Sequence, residues 1–312
     1  MSASVLRHGL LAGLLLGAHG ATLADGKLGD THAFGIIGHS FARSGGEERL
    51  TKSLARTRSA SLEFVVATGI KEGAEPCTDA VYSKRRKLLD GARRPLIVIP
   101  AASDWSECRN GGRRAGLERL NRLRELLYEE AESLGERKMG LSRLSMSSQF
   151  RSYAENAYWV VDSVMYATVN IPADNNLYRP EAGRNSEFED RSVANRYWIK
   201  RLFALARGKK LDALVLFSEG DVKILSEPPK WLARLGRGPT GQDGYVQLRH
   251  QIQGLAQKFA GKVLLVDTAP VAANGLPTIA WKGNLGHVSV GSGVYEMKVA
   301  PKAAEMFALE EP

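Results

Sequence analysis

The chain has 312 residues, 44% hydrophobic and 25% charged, which is long and apolar enough for one large or two small packed domains and excludes a disordered chain. Lys and Arg total 43 against 34 Asp and Glu, a formal net charge of +9 that suits anionic partners. No specific nucleic-acid module accompanies that charge, and no stretch is long and apolar enough to span a bilayer as a helix.

The N-terminus comes first in chain order. Arg7 and His8 precede an apolar stretch at 10–16, and small residues surround 21–24. A charged start, a short apolar run and a small-residue site make the pattern of a cleavable secretion signal. Residues 1–24 are therefore expected to direct export, to the periplasm or outside the cell, and 25–312 to form a single domain.

A buried strand is predicted at 34–38, followed by a helix around 47–56 and a strand at 64–67. Asp79 stands where it can cap a helix whose apolar face carries Val81, Leu88 and Leu89. The Lys84-Arg85-Arg86-Lys87 run in that helix reads as a solvated face. A strand at 96–99 runs into Pro100-Ala101-Ala102-Ser103-Asp104-Trp105. Leu117, Leu120, Leu123, Leu127, Ala131 and Leu134 recur at helical steps, with Gly135 as the stop. Alternation of this kind predicts crossovers and a mainly parallel sheet.

Segments 158–161 and 164–171 flank Asp162-Ser163 as a hairpin. A polar loop at 172–185 follows, then a helix around 189–207 and a buried strand at 211–217. Leu248, Ile252, Leu255 and Phe259 mark another helix, with Asp243 available as its cap. A strand at 262–266 and a closing pair at 286–290 and 293–299, read as a hairpin, complete the chain. No internal repeat or linker interrupts this order.

Cys77 and Cys108 are the two cysteines, 31 residues apart (108 − 77). In an exported chain an isolated pair reads as a disulfide. Neither has a CxxC partner or a nearby His, which argues against zinc.

The apolar runs stop at small residues, as buried parallel strands do when they deliver their last residues to a pocket. The segments are Ile37-Gly38-His39, then Ala67-Thr68-Gly69-Ile70-Lys71-Glu72-Gly73, then Pro100-Ala101-Ala102-Ser103-Asp104-Trp105-Ser106-Glu107-Cys108. With Gly73-Ala74-Glu75-Pro76-Cys77-Thr78-Asp79 and the Asn170-Ile171-Pro172 stretch leading to Asn176, they resemble a bacterial exported branch of the calcineurin-like metallophosphoesterases. The resemblance covers roughly 34–299 and is stronger in the first half. It implies an α/β fold of four layers, a two-sheet mixed β-sandwich flanked by helices, as in metallo-dependent phosphatases. Intact members hydrolyse phosphate esters with two metal ions about 3.5–4 Å apart.

Matched position by position, His39 stands where the first acid belongs. Ile70 follows Gly69 directly, so the bridging aspartate is missing. Ser103 takes the place of the amide ligand and Ala102 that of its acidic neighbour. Val266-Asp267-Thr268-Ala269-Pro270 lacks the late histidine. Without a bridging carboxylate, repulsion between two cations goes uncompensated. The expectation is a catalytically degenerate protein without a resident cofactor, binding an anionic small molecule or an envelope partner.

The alternative is an active metal-dependent phosphoesterase using Mn, Fe or Zn on a reduced ligand set. His39, Asp104 and Asp267 would then be ligands, with His39 and Asp104 also the catalytic candidates. Glu219 and Asp221 lie at the same edge, and Ser103, Asn175 and Asn176 would line the pocket. In purely structural terms, Asp104 holds the disulfide loop, Asp267 ends a strand, and the two asparagines form turns. His287 reads as a surface strand histidine. Ser40 beside His39 lacks a GxSxG elbow, and no glycine-rich phosphate loop follows a strand.

Overall fold

Runs of Val, Ile, Leu and Phe that are apolar on both faces need cover on both sides, and the structure supplies it with helices outside two stacked sheets. The computed structural model describes residues 31–41, 45–110, 113–179, 183, 185–226, 243–271 and 276–312. The expected secretion signal, 1–24, lies outside the described residues.

The chain opens with β1 (His32–Ile37), α1 (Gly46–Arg56), β2 (Leu62–Thr68), α2 (Asp79–Asp90) and β3 (Leu96–Ile99), the three strands pairing in parallel. A short α3 (Ala102–Trp105), the two-residue strands β4 (Arg109–Asn110) and β5 (Arg113–Arg114), and α4 (Gly116–Leu127) follow. β6 (Ser142–Arg143), β7 (Ala157–Val161) and β8 (Val164–Thr168) form an antiparallel run. Next come α5 (Ala173–Asn176), α6 (Ser186–Gly208), β9 (Ala213–Phe217), α7 (Val246–Ala256) and β10 (Lys262–Asp267). β11 (Ala280–Lys282), β12 (Leu285–Ser289), β13 (Val294–Val299) and β14 (Phe307–Glu310) end the chain.

The strands form a five-stranded sheet, β14-β13-β1-β2-β3, and a seven-stranded sheet, β11-β12-β10-β9-β8-β7-β6. Both are mixed. Alternation along β1 aims Phe34 and Ile36 at the other sheet and Ala33 and Ile37 at the helices. Phe34 stacks on Phe64 with ring centroids 5.0 Å apart, and Tyr166, Trp159 and Phe217 close around the pair edge-on. Each such buried aromatic contributes about 1.5–3 kcal/mol relative to exposure. Outside, Leu50, Leu54, Leu120 and Leu123 cover the five-stranded sheet, and Trp198, Leu202, Leu248 and Ile252 cover the seven-stranded one. The expected α/β arrangement of two mixed sheets between helical layers is thus observed.

Several local expectations are corrected. α4 stops at Leu127, and Leu134 instead exchanges backbone hydrogen bonds with Leu96 at 2.8 and 2.9 Å. Gly135 permits this turn back: its φ is +95°, and a Cβ there would lie 2.2 Å from the Arg94 carbonyl oxygen. The closing pair is no hairpin, because β12 runs parallel to β10 while β13 runs antiparallel to β1. Thr78, and not Asp79, caps α2 by accepting the Val81 N–H. Arg85 is buried rather than solvated, bound to Glu47, Glu75 and the Ile70 carbonyl.

Cys77 and Cys108 form a disulfide, with their Cα atoms 5.7 Å apart, joining the loop before α2 to the end of α3. The closed loop of 31 residues predicts that the Cys77→Ser, Cys108→Ser double variant loses about 3–4 kcal/mol in denaturant unfolding, with no change in far-ultraviolet circular dichroism at native conditions.

Candidate functional site at the carboxyl edge of the two sheets

The parallel strands of both sheets end at a common edge, where the residues after β1, β3 and β9 meet. Gly38 ends β1 against the other arm of the chain, since a Cβ there would lie 2.2 Å from the Gly291 carbonyl oxygen. The His39 N–H donates to the same oxygen at 2.9 Å, which fixes the backbone beneath the imidazole.

The His39 ring is buried and lies over Gly69, whose φ is +76° and where a Cβ would sit 3.0 Å from the ring. Its Nε2 faces Glu219 Oε1 at 3.6 Å and Ser103 Oγ at 3.4 Å. Nδ1 makes no hydrogen bond to another residue. Burial lowers the imidazole pKa to about 4, opposed only in part by contact with its own backbone, so His39 is neutral at physiological pH.

Asp104 is fully buried, and both its oxygens are engaged. Oδ2 accepts the Ala101 N–H at 2.8 Å, and Oδ1 accepts those of Ile70 at 3.0 Å and Lys71 at 3.1 Å. Burial raises its pKa to about 6 against the pull of these donors and of the Lys71 charge. Its carboxylate clips the end of β2 to the start of α3.

Glu219 does similar work between the sheets. Oε2 accepts the N–H groups of Ala102 at 2.7 Å and Ala173 at 2.8 Å, the first residues of α3 and α5. Those N–H groups begin helices and have no partner within them. Burial raises the Glu219 pKa to about 7 despite both donors, with the Asp104 charge adding to the rise.

Asn175 and Asn176 shape the neighbouring loop. Residues 174–177 all take left-handed φ near +57°, a run that Asp and Asn tolerate better than most side chains. Asn175 Oδ1 accepts the Gly244 N–H at 2.9 Å, Asn176 donates to the Gly244 carbonyl at 3.0 Å, and buried Arg191 binds Asn176. Both asparagines pin the loop to the segment before α7.

Asp267 lies elsewhere. Along β10, Leu264 and Val266 face the other sheet, whereas Val263 and Leu265 face the helices. Strand alternation puts Asp267 on the helical face with His287 of β12. His287 Nε2 lies 2.6 Å from Asp267 Oδ2 and 3.4 Å from Asp221 Oδ1. Burial lowers the His287 pKa, but the hydrogen bond to Asp267 and the charges of Asp267 and Asp221 outweigh it, so the imidazole titrates above its ordinary range.

The candidates therefore divide into two groups. His39 and Ser103 meet Glu219 between the sheets, while Asp267 meets Asp221 and His287 on the outer face. The reduced set of His39, Asp104 and Asp267 does not converge on one point. A dinuclear centre does not fit the edge either. No carboxylate follows Gly69, Asp104 has both oxygens on backbone donors, and Glu219 has one oxygen on two more. His287, expected to be a surface histidine, is a paired and partly buried one. Its signal was its register: Leu285, His287 and Ser289 alternate with inward-facing residues. Neither a scan of protein-family models nor a search of curated proteins returns a match for this chain.

The pH response of Glu219 follows from its raised pKa. Between about pH 4.5 and 7 the folded protein holds this proton more tightly than the unfolded chain, so the carboxyl's contribution to stability declines as pH rises. Glu219→Gln keeps an acceptor oxygen for both N–H groups but does not titrate. Its stability relative to wild type is expected to rise across that window by roughly 1–3 kcal/mol in urea unfolding. Parallel pH profiles for the two proteins would remove Glu219 from this role.

Proposed function

We propose that this is an exported protein of the calcineurin-like phosphoesterase fold whose dinuclear centre has degenerated, and that it works by binding a partner rather than by hydrolysing a phosphate ester. The observation that carries the reading is the use made of Asp104. A metal clamp needs anionic oxygens free to face the cations. Turning the Asp104 carboxylate toward a cation would strand the buried N–H groups of Ile70, Lys71 and Ala101, at about 1–3 kcal/mol each. His39 over Gly69 further fills the edge where the chemistry would occur. The disulfide suits an oxidising compartment, as export requires.

Charge supports an anionic partner. Arg207, Lys210, Lys258, Lys262 and Lys302 line a cavity of about 730 Å³ at the opposite, amino-terminal end of the seven-stranded sheet, with Asp212 the one acid in its wall. Clustered cations of this kind raise the local concentration of anions.

Two measurements test the reading. The mature chain, supplied with Mn²⁺, Fe²⁺ or Zn²⁺, is expected to hydrolyse phosphomonoester and phosphodiester probes no faster than the metal in buffer, and His39→Ala to change nothing. Metal-dependent turnover that disappears in His39→Ala would establish the alternative, an active hydrolase on a rearranged ligand set. In calorimetry, inorganic polyphosphate is expected to bind the wild-type chain and to bind Lys258→Glu, Lys302→Glu more weakly, with a shallower salt dependence.

A further inference from the structure

The outer-face cluster is independent of the inter-sheet edge and has a chemistry of its own. β10 and β12 pair in parallel, with Leu265 opposite His287 and Asp267 opposite Ser289. The sheet thus sets His287 and Asp267 on adjacent strands, on one face. The turn after β9 brings Asp221 to them. One ligand atom from each of the three residues lies within 4.8 Å of the other two.

Donor atoms that share one cation at 2.0–2.2 Å lie roughly 3.0–3.5 Å apart for tetrahedral or octahedral angles. The separation of His287 Nε2 from Asp221 Oδ1, 3.4 Å, is already in that range. The 2.6 Å contact between Nε2 and Asp267 Oδ2 needs to open by only a few tenths of an ångström. Ala269 N–H holds Asp267 through its far oxygen, Oδ1, at 3.0 Å, and Lys223 N–H holds Asp221 through Oδ1 itself at 2.6 Å, an oxygen with a second lone pair to offer a cation. Outer contacts of this kind hold ligands in position. Asp267 is buried whereas Asp221 and His287 are partly exposed, which leaves a route for an ion to enter.

Charge points the same way. Two carboxylates and a neutral imidazole carry −2, which one divalent cation cancels; a proton on the imidazole cancels half. One nitrogen and two carboxylate donors suit a borderline transition cation rather than Ca²⁺ or Mg²⁺.

We propose that Asp221, Asp267 and His287 form a mononuclear site for a divalent transition cation, with Zn²⁺ the best match. Three protein donors leave a further coordination position for water or an anionic group. The site takes Asp267 from the strand end where the resemblance puts the late histidine and adds Asp221 and His287, without using His39.

Equilibrium dialysis of the tag-free full chain against Zn²⁺ at neutral pH tests the site. One tightly bound equivalent is expected, and Co²⁺ in its place is expected to give a d–d absorption band that Zn²⁺ displaces. His287→Asn and Asp221→Asn are each expected to lower affinity at least tenfold, an effect on the order of that seen when metal-site contacts are removed. His39→Ala is expected to leave it unchanged. Asp221→Asn sits in a partly exposed turn and decides the matter if His287→Asn fails to fold. The proposal is overturned if the wild-type chain binds no stoichiometric Zn²⁺, if Asp221→Asn binds it undiminished, or if binding is lost in His39→Ala instead.

Discussion

The Glu219 carboxylate joins what would otherwise be two separate sheet edges. One of its oxygens accepts the first N–H of α3, at the end of the five-stranded sheet, and the first N–H of α5, on a loop leaving the seven-stranded sheet. The other oxygen faces His39 after β1. Helix starts carry N–H groups that cannot be satisfied from within, and two such groups buried together need a shared acceptor. A carboxylate, with several lone pairs, provides one at the cost of its own desolvation. Asp104 repeats the arrangement one step away with three N–H groups, so the geometry of the whole edge rests on two buried acids.

That arrangement bears on chemistry. In a metal-dependent hydrolase the strand-end acids must face a cavity, and the backbone around them must be satisfied by other means. Here the acids serve the backbone, and a neutral imidazole lies over the glycine that ends β2. Asp104 and one oxygen of Glu219 satisfy five backbone N–H groups at the edge, and the other oxygen of Glu219 faces His39. The outer face of the seven-stranded sheet differs, since Asp267, Asp221 and His287 chiefly pair with one another and two of them remain open to solvent.

Much of the frame was legible in the sequence. The runs ending at Gly38, Gly69 and Pro100 are apolar on both faces, which specifies buried strands without any knowledge of neighbours. Two cysteines in a chain with an export pattern specified their own pairing. The closing segments were not legible in the same way. β12 and β13 each look like one arm of a hairpin, yet a strand's own pattern carries no address for its partner. Arg85 lies in a basic run that reads as solvent-facing, and the approach of Glu47 from the first turn of α1 and of Glu75 from the loop before α2 offsets the cost of its burial.

The site follows the same division. By itself the sequence determined that no acid follows Gly69 and that His39 and Ser103 stand at the ends of the first and third strands, because these are facts of covalent order. It also determined that acids and a histidine stand near strand ends. Only the tertiary structure decided which of them meet. Strand register set Asp267 beside His287, and the stacking of the two sheets set Glu219 beside His39. Both are distances across the chain, fixed by hydrogen bonds and packing between segments far apart in sequence, where local pattern has no reach.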